Sequence, residues 1–193
     1  AWFEVVGERY ADTLPPEQFM YSMLTRSQRI SHENLRLRDA QWLGGYEPWF
    51  AEQAGVTVPA DKPAPPPMFT PYTVRGLTLK NRVVVSPMAQ YSAVDGVAGD
   101  YHLMHLGARA MGGAAMVFAE MTCVSTQGRI TPGCPGMYEP GHKQAWKRIT
   151  DWIHTNTDAK FAMQIGHAGA KASTRLAWEG IDQPLKEGNW PII

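Results

Sequence analysis

Asn81-Arg82-Val83-Val84-Val85-Ser86-Pro87-Met88-Ala89-Gln90-Tyr91 is the stretch that decides the fold. Arg82 to Ser86 is a short apolar run, as expected of a strand buried on both faces, and a proline-bearing polar turn follows it. Tyr101 to Met111 then reads as a helix, stopped by Gly112-Gly113. Ala115 to Glu120 repeats the buried-strand pattern. Glu139 to Thr155 is an amphipathic helix with Ala145, Trp146, Ile149, Trp152 and Ile153 on one face, and Lys160 to Ile165 is a third strand. The remainder to Ile193 reads as loop. Upstream, Tyr72-Thr73-Val74 and Leu77-Thr78-Leu79 flank Arg75-Gly76 as a small hairpin. Short buried strands alternating with helices mean a parallel α/β fold.

Further upstream the composition breaks. Pro59, Pro63, Pro65, Pro66 and Pro67 lie within nine residues, and proline removes backbone donors while fixing φ, so this reads as a semi-rigid linker. A proline run wrapped over a domain surface is the other reading. Before it, Thr13 can cap a helix entered through Pro15 and Pro16, with Phe19, Met20, Met23 and Leu24 at helical spacing. Gly44-Gly45 is expected to stop the helical segment that precedes it, and Glu47 to Ala54 to form a short final helix. This block holds nearly half of the aromatic residues and is too short to bury them itself, so it reads as the tail of a larger domain. The expected domains are 1–55, a linker 56–67, and 68–193. The ends at Ala1-Trp2 and Pro191-Ile192-Ile193 read as cut.

Composition excludes some function classes. The 193 residues carry 18 basic and 18 acidic side chains, without the cationic excess of an electrostatic nucleic-acid binder. No apolar run approaches the ~20 residues of a membrane span, and no signal peptide opens the chain. Cys123 and Cys134 are too few for a disulfide framework, so reduced thiols and a cytoplasmic location are expected. A small-molecule substrate is then the expected partner, and homo-oligomerisation stays open.

The polar and unusual residues gather where each expected strand ends: Ser86-Pro87-Met88-Ala89-Gln90-Tyr91, then Glu120-Met121, then Gln164-Ile165-Gly166-His167-Ala168-Gly169. In a (β/α) barrel those ends converge on one mouth, and backbone groups, an amide and a hydroxyl there suit a planar heteroaromatic ligand. Any α/β protein must also end its strands in polar loops. His102 and His105 are three apart on a helix without a third ligand at suitable spacing, so surface or packing roles are expected and no metal site.

Met68-Phe69-Thr70-Pro71, Leu77-Thr78-Leu79-Lys80-Asn81-Arg82, Ser86-Pro87-Met88, Glu120, Gln127-Gly128-Arg129-Ile130 and Gln164-Ile165-Gly166-His167-Ala168-Gly169-Ala170-Lys171 together resemble the Old Yellow Enzyme family. Its members are FMN-dependent ene reductases on a (β/α)₈ TIM barrel. The resemblance implies that Ser86, Pro87, Met88 and Ala89 lie along the flavin, that Met121 approaches its ring, and that Gln164 hydrogen-bonds its polar edge. An amide both donates and accepts, as the pyrimidine ring requires. Tyr91 matches a catalytic-pocket tyrosine whose phenol orients a substrate carbonyl, or else it is a packing aromatic. His167 is implied to order its loop, with a catalytic role as the other reading. Ala89 stands where the nearest branch of the family has a cysteine that tunes the flavin, so redox setting and substrate range do not carry over. Residues 68–193 number 126, against ~250 for a whole barrel, so about three strands of an incomplete barrel are expected.

A second resemblance covers residues 1–54. Arg26-Ser27-Gln28-Arg29-Ile30-Ser31-His32-Glu33-Asn34-Leu35-Arg36-Leu37-Arg38-Asp39 is similar to the C-terminal end of FAD-dependent aromatic monooxygenases, of the salicylyl-CoA 5-hydroxylase and 2-aminobenzoyl-CoA monooxygenase/reductase type. The combination implies a piece of a bifunctional flavoenzyme acting on aryl-CoA thioesters. FAD would belong to the missing monooxygenase domain, and FMN with NAD(P)H to the barrel, which passes hydride to a conjugated ring or enone. A stand-alone NADPH-dependent enone or xenobiotic reductase and a non-catalytic truncated binding module are the alternatives. The 193 residues alone are expected to bind FMN weakly and not to turn over.

Overall fold

The computed structural model describes residues 40–180 and 182–192. The helix expected from Thr13 and the segment Arg26 to Asp39 lie outside the described residues. The chain divides into two compact units, one ending at Arg82 and the other starting at Val83.

In the first unit, helix α1 (Ala40–Gln53) runs straight through Gly44-Gly45 and contains Pro48, so the expected stop is corrected. Two glycines cost a helix about 1 kcal/mol each. The aromatic residues around them supply the compensation: Trp42 stacks on Tyr46 one turn later at 4.7 Å, and Tyr46 meets Phe50 edge-on at 5.8 Å. The proline-rich stretch is partly packed, with Ala64 and Pro67 buried, and ends in a 3₁₀ turn, Pro67–Phe69. Strands β1 (Tyr72–Val74) and β2 (Leu77–Leu79) pair antiparallel. Arg75 and Gly76 have φ of 47° and 85°, the left-handed pair that a two-residue hairpin turn with right-handed strand twist requires. The Arg82 guanidinium lies 4.7 Å from the ring centres of both Phe50 and Tyr72, and donates to Thr70 Oγ1 at 3.1 Å.

The second unit has the expected alternation. Strand β3 (Val84–Val85), helix α2 (Asp100–Met111), strand β4 (Met116–Cys123), helix α3 (Pro140–Asn156) and strand β5 (Lys160–Gly166) follow in order. The sheet order is β3-β4-β5, parallel throughout. Strand β3 is shorter than the apolar run suggested, while β4 runs three residues past Glu120. A 3₁₀ turn (Gly169–Lys171) and the one-turn helix α4 (Ala177–Gly180) interrupt the expected final loop.

The core lies on the helix side of this sheet. Val117 and Ala119 of β4 meet Leu106 and Ala110 of α2 and Trp146, Ile149 and Ile153 of α3, all 3% exposed or less. Val85, Phe161 and Met163 pack on the same cluster. Cross-strand partners share a face, so the pairs Val84↔Met116 and Phe118↔Ala162 occupy the face opposite the helices. Beyond Ala119↔Met163 the register slips by one, and the next partners are Met121↔Gln164. Glu120 is the extra residue of a β-bulge. The bulge reverses the alternation, moving Met121 from the core side to the open face beside Gln164. Among the described residues no helix is long and apolar enough to cross a membrane.

Candidate functional site

Three strand ends deliver the expected residues to one rim, though not to one cavity. Tyr91 and Met121 line a cavity of about 780 Å³, shared with His167, Lys171, Ser173, Asp182 and Trp190. Gln164 is exposed on the open face opposite Met121 in the ladder. Ser86, Met88 and Ala89 are exposed and Pro87 half-buried in the turn after β3, and none of the four lines the cavity.

Tyr91 adopts φ +52°, a left-handed conformation that costs a non-glycine residue about 1 kcal/mol or more. It is held from two sides. Glu120 Oε2 accepts the backbone N–H of Gln90 at 2.8 Å and of Tyr91 at 3.4 Å. On the other side the loop 131–136 lies against the Tyr91 backbone: Gly133 accepts from the Ala93 N–H at 3.0 Å. The Gln90 amide donates to Met88 O at 2.8 Å and accepts from the Tyr101 hydroxyl at 2.9 Å. Burial raises the Tyr91 pKa above its ordinary 10, aided by Cys134, Asp182 and Glu120 nearby, so the phenol keeps its proton across the neutral range.

Glu120 is 3% exposed, and its Oε1 lies 3.2 Å from His102 Nε2. Gly99 N–H donates to His102 Nδ1 at 3.1 Å, which leaves the ring proton on Nε2, facing the carboxylate. His102 is 1% exposed and meets the Trp146 ring edge-on, while His105 stacks on Tyr101 at 6.1 Å. Both histidines therefore pack, and neither is at the helix surface. Burial, then the Arg109 charge, lowers the His105 pKa.

The loop after β5 is built as a companion wall. His167 Nδ1 accepts the Gly169 N–H at 3.0 Å, the loop-ordering contact expected of it. Ala168 N–H donates to Gly128 O at 2.9 Å, and Trp190 Nε1–H donates to Gln127 O at 3.1 Å under the Arg129 guanidinium. Cys123 and Cys134 are free and buried. Strand β4 brings them together, because Cys123 pairs with the backbone of Pro135 and Met137. Cys123 Sγ donates to Met121 Sδ at 3.7 Å and the Thr131 N–H to Cys134 Sγ at 3.4 Å. The neighbouring Cys123 thiol, with Thr131, lowers the Cys134 pKa to about 7, while that of Cys123 rises.

The bulge and the Glu120–His102 pair were not read from the sequence as working parts of the site. A carboxylate closing an apolar strand, with a histidine on the preceding helix, was the available signal.

Known proteins carry the same architecture. The NADH:flavin oxidoreductase / NADH oxidase family model matches residues 67–188. An NADH:flavin oxidoreductase of Gibberella zeae is 44% identical over 126 residues, 64% of this chain and 30% of that protein. An NADPH dehydrogenase of Bacillus cytotoxicus is 40% identical over 107 residues, 54% of this chain and 31% of that protein. The chain thus spans under a third of the length of these curated relatives. Morphinone reductase, solved in complex with tetrahydroNAD, superposes with a TM-score of 0.51 at 26% identity, over 61% of this chain and 30% of that one. Old Yellow Enzyme from Pichia sp. AKU4542 gives 0.52 at 27% identity, over 55% and 28%. The first two strands, the Glu120 segment and the Gln164 strand all fall inside the matched residues, and the chain belongs to the NADH:flavin oxidoreductase / NADH oxidase family.

Proposed function

We propose that residues 83–192 form the first wall of an FMN site in an NAD(P)H-dependent oxidoreductase of the ene-reductase kind. The observation that carries this reading is the Met121↔Gln164 pair, set side by side by the bulge on an open face that also bears Phe118 and Ala162. An apolar sheet face with one amide on it fits a planar ring that has a polar edge. Gln164 would hold that edge, Met121 would pack on the ring, and Ser86 to Ala89 would run alongside with backbone groups. FMN, when bound, supplies hydride transfer from NAD(P)H. The protein's own part is to orient: Tyr91 offers a protonated phenol over the cavity, placed to hold a substrate carbonyl.

FMN titration followed by flavin fluorescence tests the reading. Gln164→Ala is expected to weaken FMN binding by roughly tenfold, the value of one or two hydrogen bonds. Identical titrations for variant and parent would remove Gln164 from the site. Tyr91→Phe is expected to leave FMN affinity unchanged and to lower kcat in the assembled enzyme about a hundredfold. With the Tyr91 pKa raised, no loss of rate from phenol ionisation is expected below pH 10. Equal kcat in Tyr91→Phe would return Tyr91 to a packing role.

A finer reading, an aryl-CoA substrate and a fused FAD monooxygenase, is supported by the Arg26 to Asp39 segment alone. A stand-alone enone reductase is compatible with the family and the fold. FAD and FMN counted in the protein as isolated from its source separate the two: one flavin of each kind supports the fusion, and FMN alone removes it. The domain division at 55 and 67, the cytoplasmic location and any homo-oligomer belong to the same proposal.

A further inference from the structure

Left-handed backbone at a tyrosine does not persist unless something holds it. Glu120 Oε2 takes two successive backbone N–H groups, those of Gln90 and Tyr91. It reaches them because the bulge lifts Glu120 out of the alternation of β4. Its other oxygen faces His102 Nε2 at 3.2 Å, and the His102 ring is fixed by the Gly99 N–H and by Trp146. The carboxylate thus holds the turn on one side and on the other lies within ion-pair distance of a buried His102 Nε2 that completes no hydrogen bond, with almost no solvent to screen it.

We propose that Glu120 is a positioning residue, supported by His102, which locks the backbone of Gln90 and Tyr91 so that the Tyr91 phenol borders the cavity. The inference rests on the functional reading above only for what the phenol does there. The lock itself is a statement about the turn. Glu120→Gln keeps the shape but removes the charge, and it sets an amide donor against the His102 Nε2–H. One of the two must turn away, and the hold on the turn weakens.

Hydrogen exchange on the full chain reads this directly. In Glu120→Gln the amides of Gln90 and Tyr91 are expected to exchange about ten- to a hundredfold faster, the loss of charge-assisted hydrogen bonds, while those of Ile149 and Ile153 hold their protection. His102→Gln places its side-chain nitrogen where Nε2 stood and is expected to keep the turn protected. His102→Asn keeps only the Gly99 side and is expected to release it. Unchanged exchange at residues 90 and 91 in Glu120→Gln overturns the proposal, as does a loss spread evenly over α2 and α3. Should Glu120→Gln fail to fold, equal exchange in the two His102 variants overturns it. FMN titration of the assembled enzyme, in which the rest of the barrel is present, is the separate arm: its failure would sink the flavin reading and leave the exchange result standing.

Discussion

Gly133→Ala is expected to destabilise the second unit by about 1–3 kcal/mol, the usual cost of forcing an extra carbon into packed structure, and to lower its melting temperature by roughly 5–15 °C. A Cβ at this position would collide with the Tyr91 carbonyl, stand 2.6 Å from the Tyr91 carbonyl carbon and touch Leu176 Cδ2 at 2.8 Å. The first two obstacles are backbone and cannot swing aside. Relief requires the 131–136 loop to retreat, which breaks the Ala93 N–H to Gly133 O bond and removes one of the two supports of the strained tyrosine. The damage should therefore reach the cavity as well as the fold: thermal unfolding and exchange at Tyr91 both respond. A Gly133→Ala protein with parental melting and parental exchange would show that the loop moves freely.

Trp146→Ala should cost more, about 3–5 kcal/mol for an aromatic emptied from a core. Trp146 is 2% exposed, touches Phe161 and His102, and donates from Nε1 to Gly136 O at 3.1 Å. Trp146→Phe separates the parts. It keeps most of the packing and loses one hydrogen bond, so about 1 kcal/mol is expected from that loss. Denaturant unfolding of both variants checks the pair. Equal losses would mean that the hydrogen bond outweighs the ring, contrary to the burial. Because Trp146 also props His102, the alanine variant should loosen the turn at Tyr91, whereas the phenylalanine variant should not.

Much of this was legible in the residues because burial writes itself into short windows. Val83-Val84-Val85, Ala115 to Glu120 and Lys160 to Ile165 are apolar over strand length, and the α3 face repeats at helical spacing through Trp146, Ile149 and Ile153. Arg75-Gly76 announced its turn. Where reading failed, the governing fact lay outside the window. Gly44-Gly45 looks like a stop, but stacking between Trp42 and Tyr46 spans it. The bulge is a relation between two strands, since β4 alone does not reveal that Glu120 lacks a partner on β5. The left-handed Tyr91 has no local signature, because a carboxylate 29 residues away imposes it. Cys123 and Cys134 meet only through backbone pairing at the end of β4.

The bulge also changes what β4 transmits. In an ordinary strand a residue's character matters and its tally hardly does. Between Val117 and Met121 the tally itself is functional: five residues face four on β5, from Phe161 to Gln164. Remove one and every side chain downstream trades faces, so Met121 turns toward the helices although no letter of its chemistry has changed. Transplanting this strand into another scaffold therefore means carrying a length mismatch as well as a motif. A graft matched residue for residue to its neighbour would copy all the right side chains and aim the last three, Met121 to Cys123, backwards.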